Sequence, residues 1–529
     1  MESRSVSARI AANSVFQFWS VLLSVGSSMV LSIALARKLG PDQYGSYAFA
    51  LWLVGLGALL SNLGVSAAST KFISEYQGAG DQRGLLWVVR ATLRSRALVA
   101  VAIAIAFVPI SFVLVASDGG SAVRFYPLVI SVSLVPYALH QALQGILKGF
   151  QRYDYSASAL SVGLLLKACI ALALVWRGYG VLHLLVLEAV AWGLAVALGL
   201  LFLRRLVGKP VKDDSGLSRQ AMRNVLRFGA IASVLLLIDF IINDRSELFF
   251  IKIFRPNDEV GYYSLAFAMA SYPILLIPGA LGSVLMPAIS EQFGRGDSAR
   301  LAAIYVTSAR YLMMLSLPLA AGGIVMARPL VIALFGQEYL PMVLPTQILM
   351  GAGATLAISM STSGVIWGTN RPQFFLLMSI FKVPVNIIAC LLLIPAFGMR
   401  GAALAQLAAG PAWGVTLWYV TTRLGVAWPY KDTARIILAS ALMAVGVVFL
   451  QKYLEGSRLI PLVVLAGAGL YSVLLLVLRA VREDDLKLFG GLLSRGVLPR
   501  WLGRSPRLLE SAESRPGVTS ASASATDPP

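Results

Sequence analysis

Apolar stretches of about twenty residues recur along the whole of this 529-residue chain, and nothing else in it restricts the fold as strongly. Each is long enough to cross ~30 Å of hydrocarbon as a helix. Inside lipid the backbone must satisfy its own hydrogen bonds, so such a chain folds as a bundle of helices. Fourteen spans are expected, near 11–35, 45–67, 97–117, 125–147, 157–176, 180–203, 228–250, 260–286, 305–327, 342–366, 373–395, 400–421, 433–453 and 459–480. The stretch Arg328–Pro341 is too short to cross and is expected to form a brief interfacial helix. The expected fold class is an all-α polytopic membrane protein with about 14 transmembrane helices.

Composition excludes other classes. Charged residues make up 13% of the chain, about half of what a soluble protein needs to cover its surface. The net charge of +19 would suggest nucleic acid in a soluble chain. Here it follows the excess of Lys and Arg in the cytoplasmic loops of membrane proteins. With the N-terminus inside, inner segments and tail hold 31 basic residues and outer loops 10; without the tail the comparison is 23 to 10. Both termini are therefore expected in the cytoplasm, and no nucleic-acid partner is expected. Cys169 and Cys390 lie in apolar runs, and with only His140 and His183 beside them neither a disulfide framework, a metal site nor a cofactor is expected. The N-terminal apolar stretch reads as a retained first helix, with no small-residue cleavage site after a short one. The tail, ending "SAESRPGVTSASASATDPP", is too poor in large apolar groups to offset its ordering entropy and is expected to be disordered.

An internal repeat fixes the architecture. "SEYQGAGD" (Ser74–Asp81) returns 216 residues later as "SEQFGRGD" (Ser290–Asp297). At that offset Asp42, Gly45, Tyr47, Ala50, Leu59, Leu60 and Ile73 also meet identical residues, 12 identities in 46 aligned positions. "GILKGFQR" (145–152) pairs with "GVIWGTNR" (364–371), and "GYGV" (178–181) with "AFGM" (396–399). The period covers six helices, an even number, so the two copies have parallel topology. Transporters use such copies to enclose a site between them. The expected organisation is a six-helix bundle over 1–210, a second over 211–425, two added helices over 426–482, and a cytoplasmic tail over 483–529, with a cavity between the bundles. The repeated glycine–aspartate phrases read as tight turns ahead of a helix.

Charge at membrane depth needs a reason. Beyond the loops only Lys167, Arg245 and Lys382 are basic at that depth in this reading. Lys167 in the fifth helix and Lys382 in the eleventh are near-equivalent under the repeat. They suit an anionic head group in the cavity, or equally a folding ion pair with an acid of the sixth or seventh helix. Arg245 is a third head-group candidate, or a static partner of Asp244 or Glu247, the latter placed close to the interface. Asp239, Asp244 and Glu188 are the candidates for coupling to an ion gradient. No G-x-x-x-x-G-K-[ST] loop is present, which excludes an ATP-driven pump in this chain itself.

The stretch "LARKLGPDQYGSYAFAL" (35–51) closely resembles the start of O-antigen and polysaccharide flippases of the multidrug/oligosaccharidyl-lipid/polysaccharide exporter superfamily. "DRSELFFIKIFRPNDEVGYYSLAFAM" (244–269) and "ALFGQEY" (333–339) are similar too. The resemblance spans roughly residues 10–480. It implies two bundles around a central cavity working by alternating access. The implied cargo is an oligosaccharide repeat unit on a polyprenyl pyrophosphate, carried across the cytoplasmic (inner) membrane for polysaccharide or O-antigen synthesis. Basic cavity residues would hold the head group, and helices thirteen and fourteen would shelter the lipid chain. Expected partners are that substrate, membrane lipid and polysaccharide assembly proteins, with the flippase itself a monomer and no enzyme. The rival readings are a lipid II flippase, a cation-coupled drug exporter, a membrane glycan polymerase or ligase, and a scaffold in envelope assembly. Drug exporters of this superfamily usually stop at twelve helices, and glycan polymerases usually carry a large outer loop.

Overall fold

The computed structural model describes residues 6–115, 121–207, 219–243, 245–369, 372–408, 410–423, 425–453 and 459–482. The expected disordered tail lies outside the described residues. Every regular element among those described is helical. The first group comprises α1 (Val6–Leu60), α2 (Val65–Gly78), α3 (Gln82–Val115), α4 (Tyr126–Gly149), α5 (Tyr153–Trp176) and α6 (Val181–Val207). Then come α7 (Arg219–Asn243), α8 (Glu247–Phe254), α9 (Asn257–Gly294), α10 (Ser298–Leu334), α11 (Val343–Gly368), α12 (Pro372–Phe397), α13 (Met399–Ala408) and α14 (Pro411–Arg423). α15 (Tyr430–Tyr453) and α16 (Ile460–Val477) close the chain. Among the described residues ten helices are long and apolar enough to cross a membrane. The protein is a multi-pass membrane protein.

The figure of ten differs from fourteen partly because α1 joins two expected spans. It bends at Gly40, whose φ of 75° is open to glycine at no steric cost, and resumes at Pro41. Proline suits that first position, where its missing N–H has no helical partner to lose. The second part of α1 ends at Leu60, and α2 follows after a break at 61–64 with Leu63 (φ 43°) and Gly64 (φ 65°) in left-handed conformation. The repeat-related α9 runs through the corresponding positions as one 38-residue helix. Arg328–Pro341 forms no separate interfacial helix. α10 carries through Pro329 to Leu334 and stops at Gly336 (φ 104°), and a 3₁₀ turn, Gln337–Met342, leads into α11.

Helix neighbours fall into groups by chain order. α4 packs on α3, α6 and α2, and α5 packs on α1 and α6. In the second group α9, α10 and α11 pack on one another, and α12 packs on α13. α15 lies on α10 and α16. α16 is fastened to α10 by Tyr471 Oη donating to Met314 O (2.9 Å), and the segment after it to α15 by Arg482 against the buried Asp432 (2.7 Å).

The repeated phrases form matching turns. Gly80 and Gly296 hold φ of 70° and 71°. Asp81 Oδ1 accepts from Gly84 N, and Asp297 Oδ1 accepts from Arg300 N, both at 2.9 Å. Each aspartate thus satisfies a backbone donor of the helix that follows, as an N-cap does. A second matched pair joins α5 to α6 in the first group and α12 to α14 in the second. Tyr155 stacks on Phe202 (4.6 Å between ring centroids, 12° between planes) and Phe374 on Tyr419 (3.7 Å, 14°).

Candidate functional site

The two groups meet most extensively along α1 and α9. At one end of this seam the backbones touch. A Cβ on Gly45 would collide with the carbonyl oxygen of Asn257, and a Cβ on Gly261 with that of Pro41. Gly45 and Gly261 are equivalent under the repeat, and so are Pro41 and Asn257. The contact is therefore reciprocal, as in a two-fold interface.

Polar contacts close the same end. Asn257 Nδ2 donates to Ser46 Oγ (3.3 Å), Tyr339 Oη donates to Ala36 O (2.7 Å), and Arg37 Nε donates to Leu334 O (2.6 Å). The Arg37 guanidinium also bonds Ala333 O, so it sits where a cation complements the partial negative charge at the end of α10. Further along the seam lies a small apolar recess, lined by Met29, Ile33, Leu265, Met269, Tyr272 and Phe335. At α2 a second contact bridges the groups. Gly64 lies against Gly229 of α7, Phe72 meets Phe228 edge-on (6.0 Å), and the Lys71 ammonium lies 4.7 Å from the Phe228 ring centre.

Behind the closed end each group holds a buried carboxylate. In the first, Glu188 on α6 is 3% exposed, and its Oε1 accepts from Lys167 Nζ of α5 (3.0 Å) and Tyr47 Oη of α1 (2.8 Å). Lys167 and Glu188 are thus one ion pair, the pairing with a sixth-helix acid that the sequence leaves open beside the head-group role. In the second, Glu247 opens α8, is 1% exposed, and accepts from Asn386 Nδ2 of α12 (3.1 Å). Burial at this level leaves Glu247 no exposed head with which to snorkel. The buried Lys382 lies within electrostatic reach of it, and Tyr263 of α9 stands beside it. Arg245, between α7 and α8 with φ of 56°, turns its guanidinium toward Phe267, 5.7 Å from the ring centre. Asp239 lies on α7 with its side chain outside the described residues, and Asp244 lies outside them altogether.

Tyr47 and Tyr263 are identical under the repeat. That identity was the signal available in the sequence for a role it did not reveal. Two further arginines are buried at depth where only three basic groups were expected. Arg96 on α3 is fully buried and donates to Ala138 O (3.1 Å) and Gln141 Oε1 (2.7 Å), and Arg310 on α10 is 2% exposed. The expected third span began too late, after Arg96, whereas α3 starts at Gln82; Arg310 stands inside its expected span, 305–327, close to the loop before it. Among the described residues no three His, Cys, Asp or Glu side chains gather as a metal site requires.

Comparison with known proteins places this geometry. A family model described as "Polysaccharide biosynthesis protein" matches residues 34–344, more than half of the chain. The chain is 23% identical over 490 residues to the "Probable low-salt glycan biosynthesis flippase Agl15" of Haloferax volcanii, covering 90% of this chain and 98% of that one. It is 25% identical over 324 residues to the "Succinoglycan biosynthesis transport protein ExoT" of Rhizobium meliloti, covering 61% and 62%. Its fold is similar to that of lipid II flippase MurJ in an inward closed conformation (TM-score 0.70, 14% identity, 88% of this chain and 98% of that one). It is also similar to an inward-facing multidrug resistance MATE family transporter of the MOP superfamily (TM-score 0.64, 18% identity, 78% and 98%).

Proposed function

The chain belongs to the polysaccharide biosynthesis protein family, and from that premise we propose that it is a flippase for polyprenyl-pyrophosphate-linked oligosaccharide repeat units. The observation that carries this reading is the match to Agl15, a glycan biosynthesis flippase by name, along nearly the whole of both chains. The lipid II and drug-exporter readings rest on likeness of fold alone, at 14% and 18% identity. The protein acts in the cytoplasmic membrane with both termini in the cytoplasm, in keeping with the distribution of its basic residues.

Two six-helix units, 1–210 and 211–425, alternate access to a cavity between them. The closed α1–α9 end supports this reading, because a transporter of this kind seals one end while the other admits cargo. By the charge count the sealed end is the outer one. Lys167, Lys382 and Arg245 offer cationic groups for the pyrophosphate, and Glu188, Asp239 and Asp244 are the acids available for coupling. α15 and α16 shelter the polyprenyl chain. The protein works as a monomer beside the polymerase that consumes the exported units.

Gene deletion with labelling of lipid-linked glycans tests the reading. Repeat units should accumulate on the inner leaflet. Normal export of units that merely stay unpolymerised outside would refute it. Lys167→Ala with Lys382→Ala should abolish export while the protein still reaches the membrane; undiminished export would remove both lysines from the head-group site.

A further inference from the structure

One face of α4 changes character along its length. Ile130 and Ser133, toward the sealed end, are buried. Tyr137, Gln141, Gln144 and Lys148 continue the same line at steps of three and four residues, and all four are only half-buried. A face that is covered near a seal and opens away from it is what a cavity closed at one end leaves on a helix beside it. The "GILKGFQR"–"GVIWGTNR" pairing, carried back along the helix, sets Leu356, Met360, Ser363 and Trp367 against the four open positions. No amide and no charge stands there. The polar face therefore belongs to one half of the chain, and the symmetry of the seam gives no account of it.

The side chains on this face are held from behind. Arg96 of α3, fully buried, donates from Nη2 to Gln141 Oε1 (2.7 Å) and from Nε to Ala138 O (3.1 Å). The carboxamide is oriented by this charge-assisted bond, since the α4 backbone itself anchors the guanidinium. Among the described residues it is the one hydrogen bond of the Gln141 side chain, which leaves both Nε2 donors for another partner. Gln144 differs, because both atoms of its amide are tied to Ser156 of α5. Trp192 of α6, itself half-buried, lies against Tyr137 (4.7 Å between ring centroids) and the buried His140 (5.0 Å). Two rings of α4 thus fix the indole.

Rigid aromatic surface beside a few placed polar groups is how a concave site orients a polar ligand. A sugar ring matches it, with C–H groups to lie on the indole and hydroxyls to accept from an amide. A phosphate calls instead for several cations, and Lys148 is the only charged side chain of the four.

We propose that this face of α4, together with Trp192, is the wall of the cavity that binds the saccharide of the cargo. Trp192 and Tyr137 stack on a ring, Gln141 Nε2 donates to a hydroxyl beside it, and Arg96 is a positioning residue that acts through Gln141. The line from Tyr137 to Lys148 rises about 16 Å, room for a short oligosaccharide. The proposal rests on the flippase reading for its ligand, and the binding itself is measured without transport.

The test uses the purified full chain in detergent and two probes. One is the saccharide released by mild acid from the lipid-linked glycans of the gene-deletion strain, labelled at its reducing end and followed by fluorescence anisotropy. The other is polyprenyl pyrophosphate without sugar, followed by native mass spectrometry. Gln141→Glu keeps an acceptor for Arg96 and removes the free donors. It should not lower the unfolding midpoint, and it should weaken saccharide binding about tenfold, the equivalent of about 1.4 kcal/mol. Trp192→Leu should weaken it by a similar factor, and Trp192→Tyr should restore most of the loss. Met360→Leu, at the counterpart of Gln141, should have no effect. All four variants should bind the sugar-free lipid as the parent does. An equal loss for that lipid would assign the face to the head group and overturn the proposal. So would saccharide affinity unchanged in Gln141→Glu and Trp192→Leu, or absent from the parent protein. If Trp192→Leu fails to accumulate, Gln141→Glu alone decides. Sugar binding that depends on these two residues, in a protein whose deletion leaves export normal, would keep the wall and remove the flippase reading.

Discussion

Glu188 receives a lysine and a tyrosine on one oxygen, so its buried charge is compensated by partners from two other helices. Removing one member of a buried pair leaves the other charge uncompensated, which costs about 3–5 kcal/mol. Lys167→Ala should therefore lower stability by that order, and adding Glu188→Gln should recover much of the loss. Denaturation of the single and double variants in detergent measures the coupling. That these two groups lie at membrane depth was legible in the sequence, because a charge stands out in an apolar run. Their pairing was legible only as one of two readings, since helical periodicity within one segment does not decide which segment it will face. Glu247 shows the same limit. It sits where α7 gives way to α8, and the Asn386 that meets it is 139 residues away. Arg96 was hidden for another reason: a hydropathy window ends at the first charges it meets, whereas α3 continues past them to Gln82. Arg310 stands inside its expected span, 305–327, near the loop that precedes it.

Elements were more legible where backbone chemistry sets them. The glycine–aspartate phrases foretold tight turns with left-handed glycines ahead of a helix, and both copies have that form, with the aspartate capping the helix besides. Asp81→Ala and Asp297→Ala should each cost about 1 kcal/mol through the lost cap, read as a lowered midpoint of thermal unfolding. The break at 61–64 was less legible. "SNLG" lies in an apolar run, and the repeat-related positions of α9 continue as helix. Gly64 there packs against Gly229, so the contact becomes visible only once α7 is placed. Gly45→Ala is the sharpest change available at this scale. Its methyl has backbone on the far side and no flexible side chain to displace, so α1 and α9 must separate. The expected outcome is faster maleimide labelling of a Ser46→Cys variant, whose side chain is buried at the seam, and loss of export, with insertion into the membrane retained.

For the molecule as a whole, alternating access requires the closed end to open. Ser46→Cys with Asn257→Cys replaces a side-chain contact of 3.3 Å across the seam. Oxidation should join α1 to α9 and stop export, and a reductant should restore it; export that continues through the cross-linked protein would exclude opening at this end. The helical class could be read from the sequence, and so could the correspondence of Gly45 with Gly261 and of Pro41 with Asn257. The packing of α15 and α16 on α10 could not, because these helices have no counterpart in the repeat to predict a neighbour. The reciprocity of Gly45 and Gly261 has an evolutionary consequence. Two identical six-helix proteins, meeting face to face about an axis normal to the membrane, would make this very contact twice. Joining them into one chain would free most positions to diverge but would leave the seam answerable to both copies at once. A mutation there disturbs a surface and its own mirror, and Asp42, Gly45, Tyr47 and Ala50 stand within a few residues of it, still spelled alike in both halves of the chain.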